Sequence, residues 1–135
     1  MNVKKLLLST LAGGVLLNIL DMLFHGMILK NTYASFPALF NADAPVWIYI
    51  VSDFLAALIF TIVYEKLKGS SNPGAGAGAN FGFFAGLLIT FPGMVSMSAM
   101  LVGFPYWLSW VWLISGIVWY VALGAVVGGI YQKVK

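Results

Sequence analysis

The sequence predicts an all-α protein in which four membrane-spanning helices form one bundle. Of its 135 residues, 61% are hydrophobic and only 8% are charged, which leaves too few polar side chains to cover a soluble domain of this size. Four apolar stretches are each long enough to cross the hydrocarbon core of a bilayer, which takes about 20 residues. We therefore expect a single domain over residues 1–135 that has the lipid bilayer as its main partner.

The four predicted spans lie at about residues 5–29, 46–66, 81–101 and 107–131. The first begins like a secretory signal peptide, because Lys4 and Lys5 precede a run of leucines. Its apolar run is longer than the roughly 7–15 residues of a signal-peptide core, and three further spans follow. We therefore interpret it as a retained first helix.

The lysines predict the orientation of the bundle. With four spans, all the lysines except Lys30 fall at the end of the bundle that holds both termini; these are Lys4, Lys5, Lys66, Lys68, Lys133 and Lys135. Because loops rich in lysine stay on the cytoplasmic side, both termini are predicted to be cytoplasmic.

Composition and spacing argue against several functions. The net charge of +3 comes from scattered lysine pairs without any arginine, so we expect no nucleic-acid partner. The lack of cysteine removes disulfides and thiolate-ligated metals. The glycine-rich segment 69–80 has neither the preceding strand nor the lysine–serine pair of a phosphate-binding loop. We interpret Asn72 and Pro73 instead as the cap and first residue of the third helix, which would then begin before the bilayer.

Glycines recur at four-residue spacing on the last two helices. They are Gly74, Gly78, Gly82 and Gly86 on the third helix, and Gly124 and Gly128 on the fourth. Small residues at this spacing let helix backbones approach closely. The stripes predict either close packing of the third helix within the bundle or a contact in a homodimer.

The two halves of the chain end in similar segments. Residues 63–68 read Val-Tyr-Glu-Lys-Leu-Lys, and residues 130–135 read Ile-Tyr-Gln-Lys-Val-Lys. The match predicts two hairpins related as a parallel pseudo-repeat, or two similar interfacial helix ends.

Polar residues inside the spans are the candidate site. Asn18, Asp21 and His25 are spaced by three and four residues on the first helix, so they share one face, and Asp53 and Ser96 lie at a similar depth on the second and third helices. A charged group at mid-helix costs about 2.5–3.5 kcal/mol, so these groups need partners. We expect an Asp21–His25 pair joined by Asp53.

This polar cluster allows three interpretations: a hydrogen-bonded clasp between helices, a site for a ligand, proton or cation, or a catalytic site. We assign no catalytic residue and no metal, because a single histidine is weak evidence for a metal site. Pro92 is expected either to kink the third helix for packing or to free a carbonyl beside Asp21 and Asp53. The loop from Lys30 to Val46 is expected to be an interfacial connector or a lid over the cluster.

The stretch from Asn18 to Leu29, with its Asp and its His-Gly pair, resembles a set of small four-span bacterial membrane proteins of uncharacterised function. The segment Phe81-Gly-Phe-Phe-Ala-Gly86 is similar to the glycine-rich start of their third helix. The resemblance implies a protein of the bacterial cytoplasmic membrane. It implies no activity and no cofactor.

From the residues we expect binding or transport of a small ligand or ion through the polar cluster, in the outer half of the bundle. The alternative is a non-catalytic accessory or assembly protein that binds other membrane proteins through its glycine-rich helix faces. Enzymatic activity is the least favoured of the three expectations.

Overall fold

A computed structural model describes residues 2–41, 43–68 and 72–134 of the chain. Its helices are α1 (Val3–Leu23, continued by a π-helical turn, Phe24–Ile28), α2 (Lys30–Ala34), α3 (Val46–Leu67), α4 (Ala75–Met100) and α5 (Tyr106–Lys133). The described residues contain no strand. Together with its π-helical turn α1 is long and apolar enough to cross a membrane, and so are α3, α4 and α5. The predicted all-α bundle of four spans is confirmed, and the protein is a multi-pass membrane protein.

The start of α4 differs from its prediction. The helix is predicted to begin at Pro73, before the span that starts at about residue 81; it begins at Ala75, with Gly74 as its N-cap and no capping side chain. The interpretation of Asn72 as the cap and Pro73 as the first helical residue is wrong. Gly74 is in an extended conformation, so the chain enters the helix only after the proline.

The long helices run up and down, and both termini lie at one end. The Asn2 backbone N–H donates a hydrogen bond to Glu65 Oε1 at 3.1 Å, and Lys5 Nζ donates to the Tyr131 carbonyl oxygen at 3.4 Å. These contacts join the start of α1 to the ends of α3 and α5. We call this end, which carries Lys4, Lys5, Lys66, Lys68 and Lys133, the lysine end; the opposite end, which carries α2, is the loop end.

Glycines set the packing of α4 on α5. Gly78, Gly82 and Gly86 are buried on α4, and a Cβ atom added to Gly78 would overlap the carbonyl oxygen of Gly124. A Cβ atom at Gly128 would likewise overlap the carbonyl oxygen of Gly74. The glycine stripes of the two helices therefore face each other inside one chain, and the two backbones touch.

Two clusters of buried side chains hold the remaining helices. The larger consists of Leu17, Ala57, Phe60, Tyr64, Leu123, Val127 and Tyr131. The smaller, at the loop end, is built on Leu29, Phe104 and Leu108. In the larger cluster Tyr64 and Tyr131, which hold equivalent positions in the two similar segments, contact edge to face with ring centroids 5.6 Å apart. The pseudo-repeat itself stays a prediction.

The outward surface of the bundle is apolar. Leu11 on α1, Ile59 on α3 and Leu88 on α4 are exposed over 58%, 60% and 77% of their surfaces. In water such a surface would drive aggregation, whereas lipid chains cover it at no cost. The polar side chains inside the spans are therefore the groups that need an explanation.

Candidate functional site

Asp21 accepts a hydrogen bond from the opposite side of the bundle. It lies near the end of α1, and its Oδ1 accepts from Trp119 Nε1 on α5 at 2.6 Å. An indole N–H can only donate, so the bond suits an ionised or a neutral carboxyl.

Asp53 brings a second carboxyl to the same place. It lies on α3, close to the Asp21 carboxyl. Its Oδ2 is buried and has no hydrogen-bond partner. Two neighbouring carboxylates repel each other strongly in a medium of low polarity. The pair therefore requires a proton or another positive charge between its oxygens.

The expected Asp21–His25 pair does not form among the described residues, and there His25 bonds to Tyr33 instead. The backbone of α1 widens after Leu23 into a π-helical turn at Phe24–Ile28; the Leu29 N–H donates to the Phe24 carbonyl at 2.8 Å. A π-helical turn has more residues per turn than an α-helix, so the residues that follow it, including Tyr33, are rotated from the positions that a continuous α-helix would give them. His25 is directed towards α2.

Tyr33 joins the loop to the bundle. Its hydroxyl accepts a hydrogen bond from Trp112 Nε1 at 3.0 Å and is hydrogen-bonded to His25 Nδ1. Because the Trp112 indole can only donate, the Tyr33 proton is free to point at Nδ1. In that arrangement a neutral His25 holds its own proton on Nε2. Burial raises the pKa of Tyr33 to about 12, so its hydroxyl stays protonated and able to donate at neutral pH.

The residues from Lys30 to Phe40 cover the loop end of the bundle. The Tyr33 ring contacts Phe40 at a centroid distance of 4.6 Å, and Phe40 contacts Trp112 at 5.9 Å. Tyr33, Leu39 and Phe40 pack on the buried cluster at Leu29, Phe104 and Leu108. The segment therefore packs over the helix ends at the loop end of the bundle.

Asn18 lies on the same helix face as Asp21 but has a different partner. Its Nδ2 donates to the Gly14 carbonyl at 2.9 Å and to the Ile50 carbonyl at 3.5 Å. The second bond crosses from α1 to α3. Asn18 thus positions the two helices that carry the carboxyl pair, and its amide N–H is used by backbone carbonyls.

Ser96 is not part of the cluster. It is exposed, and its hydroxyl donates to the Pro92 carbonyl at 2.7 Å. A serine that bonds back to its own helix has its donor satisfied locally. Pro92 is exposed too and lies within the continuous helix α4. The idea that Pro92 opens a carbonyl next to the carboxyl pair therefore finds no counterpart in the structure.

Sequence reasoning missed the aromatic partners of the cluster. Trp119 bonds to Asp21, and Trp112 and Tyr33 bond in series to His25. One signal was present: Trp119 lies at the middle of its span, whereas tryptophans of membrane helices concentrate at the interfaces. A mid-span tryptophan has an N–H that needs an acceptor within the bundle.

Among the described residues no group of three histidine or acidic side chains is placed to hold a metal ion. The carboxyl pair with its indole donor can hold a single positive charge. Comparison with protein-family models, with curated proteins and with solved structures gave no match to this chain. The carboxyl pair is therefore the feature of this chain that points most directly to a function.

Proposed function

We propose that this protein binds a cation at the Asp21–Asp53 carboxyl pair, as the binding step of transport or sensing across the membrane. The observation that supports it most is the approach of two carboxyls from α1 and α3, while the imidazole of His25 is hydrogen-bonded to Tyr33 instead. A proton, a small monovalent cation or an ammonium group supplies the missing charge.

The unpaired oxygen of Asp53 favours a binding site over a structural clasp. In a clasp that serves only to join helices, the buried acceptors are expected to be bonded, as in most of the protein interior. Asp21 meets that expectation through Trp119, whereas Asp53 Oδ2 is buried without a partner. An acceptor left open beside a second carboxyl is what a bound cation requires.

The accessory or assembly role has less support. It relied on glycine-rich faces that would receive other membrane proteins. In this chain Gly78 and Gly82 of α4 lie against the backbone of α5 at Gly124 and Tyr120. That face is already used within the chain, and so it is not free for a partner or for a second copy.

We further propose that the protein resides in the bacterial cytoplasmic membrane with both termini in the cytoplasm. The described lysines at the lysine end support this orientation through the preference of lysine-rich loops for the cytoplasm. The carboxyl pair would then lie in the half of the bundle that faces away from the cytoplasm.

Thermal unfolding of the purified protein tests the cation site. In lipid nanodiscs, melting temperatures would be measured in buffers of choline, sodium and tetramethylammonium chloride and over a range of pH. A cation that binds only the folded state raises the melting temperature by mass action. We expect at least one of these cations or protons to stabilise the wild type and to lose its effect in Asp53→Asn.

Asp43→Asn is the matched control, because Asp43 undergoes the same chemical change but is exposed in the loop. It should respond to every cation as the wild type does. Equal responses of the wild type and Asp53→Asn to all cations and to pH would refute the proposed function.

A further inference from the structure

An apolar groove opens between α3 and α4 towards the lipid. Its volume is about 410 Å³, and its walls include Ala56, Ile59 and Phe60 of α3, Phe81 and Ala85 of α4, and Tyr120 of α5. The groove exists because α4 packs on α5 through glycines and α3 packs on α1, so the backbones of α3 and α4 stay apart. Phe60 and Phe81 make an edge-to-face contact across it, with ring centroids 5.3 Å apart.

One end of the groove lies near the carboxyl pair. Ser52, which lines it, directly precedes Asp53 in α3. Asp53, Ala56 and Phe60 are spaced by three and four residues, so they follow one another along one face of that helix. Tyr120 in the groove lies close to the Asp53 and Asp21 carboxyls. The carboxyl pair therefore lies about one helical turn beyond one end of the groove, next to Ser52 and Tyr120 of its walls.

Charge complementarity selects the occupant. An alkyl chain alone would fit the walls but leave the carboxyl pair without its counter-charge. An anionic amphiphile would place its head group against two carboxyls and be repelled. An ammonium head with an apolar tail satisfies both parts, and the volume lies within the roughly 300–1,000 Å³ of small-molecule sites.

We propose that the groove admits an amphipathic organic ammonium ion from the bilayer, with its head at the Asp21–Asp53 pair and its tail between α3 and α4. This inference rests on the proposed cation site and adds its ligand class and its route of entry. The ligand reaches the carboxyls sideways through the groove, because the loop end is closed by the segment around Tyr33 and Phe40.

The test uses decyltrimethylammonium below its micellar concentration, with decyl sulfate and decanol as anionic and neutral probes of the same length. Binding to the protein in nanodiscs is followed by quenching of tryptophan fluorescence and by the shift in melting temperature. We expect only the ammonium probe to saturate and to raise the melting temperature. Saturation by all three probes alike would overturn the charge selection.

Ala85→Phe fills the groove from α4. We expect it to weaken decyltrimethylammonium binding roughly tenfold or more, about 1.4 kcal/mol, while the response to protons or tetramethylammonium is unchanged. Ala77→Phe on the same helix is the matched control, because Ala77 is exposed and outside the groove. Ile59→Trp at the rim, where Ile59 is 60% exposed, provides a second filling variant should Ala85→Phe fail to fold.

The outcomes separate the two proposals. If a filling variant binds decyltrimethylammonium as tightly as the wild type while Asp53→Asn loses all cation responses, the groove is refuted and the cation site stands. If Asp53→Asn keeps its responses to protons, tetramethylammonium and the long-chain probe, the cation site fails and the groove proposal fails with it.

Discussion

Trp119 Nε1 donates a hydrogen bond of 2.6 Å to Asp21 Oδ1 and so joins the middle of α5 to α1. The bond fixes one carboxyl of the pair, while Asp53 on α3 brings the other. The Trp119 ring also packs edge to face on Phe24 at a centroid distance of 5.1 Å, where the π-helical turn begins. Trp119 therefore orients Asp21 and supports the widened turn that directs His25 to Tyr33.

Trp119→Phe should remove the donor while keeping most of the ring. We expect a loss of about 1–3 kcal/mol in the free energy of unfolding, since Asp21 would be left without its partner in an apolar region. Cation-dependent stabilisation should weaken as well, because the Asp21 carboxyl would no longer be held beside Asp53. Melting curves of the purified protein with and without the cation measure both the loss of stability and the weaker cation-dependent stabilisation.

Trp110→Phe is the control for this change, because Trp110 is 39% exposed on the same helix and has no described role in the carboxyl pair. If Trp119→Phe and Trp110→Phe lose equal stability and keep equal cation responses, Trp119 does not position Asp21.

Gly82→Leu should prevent the close approach of α4 and α5. A Cβ atom at Gly82 would overlap the carbonyl oxygen of Tyr120, which is backbone and cannot move aside. We expect a loss of about 3 kcal/mol or more, at the upper end of overpacking effects, seen as a large fall in the melting temperature. Gly76→Leu is the control, because nothing lies within 4 Å of a Cβ atom at Gly76; a similar fall there would contradict the packing argument.

The sequence predicted the helices well because membrane insertion makes strong demands on length and hydrophobicity. The start of α4 before the bilayer was predicted, but its first residue is Ala75 and not Pro73, because glycine and alanine spacing does not mark the first turn of a helix. The four-residue spacing of the glycines predicted a close helix contact, and in the structure Gly78 and Gly82 both lie against Gly124. The spacing alone did not distinguish this contact from one in a homodimer.

The candidate site was predicted only in part. The depths of Asp21 and Asp53 indicated that their carboxyls would meet, because an isolated charge in lipid is costly. The partner of His25 was not predictable from helical spacing, since the π-helical turn at Phe24–Ile28 depends on packing around it. Ser96 was included in the predicted site because of its depth in the membrane. The direction of its side chain depends on the rotation of α4 about its axis, which the packing of the glycine stripe fixes.

A reporter enzyme fused after residue 135 tests the proposed orientation. Alkaline phosphatase, which is active only outside the cytoplasm, should be inactive in this fusion, because the lysine-rich end is expected to stay inside. The same reporter inserted in the loop after Asn41, which is exposed, should be active. The reverse pattern would invert the bundle and place the carboxyl pair in the cytoplasmic half.

Tyr33 gives the loop end a pH dependence of known sign. Burial raises its pKa to about 12, above the ordinary value of 10.0, so the folded protein holds this proton more tightly than the unfolded chain does. The stability that Tyr33 contributes is therefore fully present below about pH 10 and is lost as the pH rises towards 12. Between these values the melting temperature should fall less in Tyr33→Phe than in the wild type.

Difference absorbance of the phenolate gives an independent measurement of the same group. The titration of the wild type minus that of Tyr33→Phe should show one tyrosine that ionises near pH 12. In a Trp112→Phe background, this ionisation should move towards pH 10 only if loss of the indole opens the loop end to water. Without that opening, losing the Trp112 hydrogen bond should raise the Tyr33 pKa further, because the bond favours the ionised form. A difference titration centred at the ordinary value in the folded wild type would show that Tyr33 is solvated and that the segment does not close the bundle.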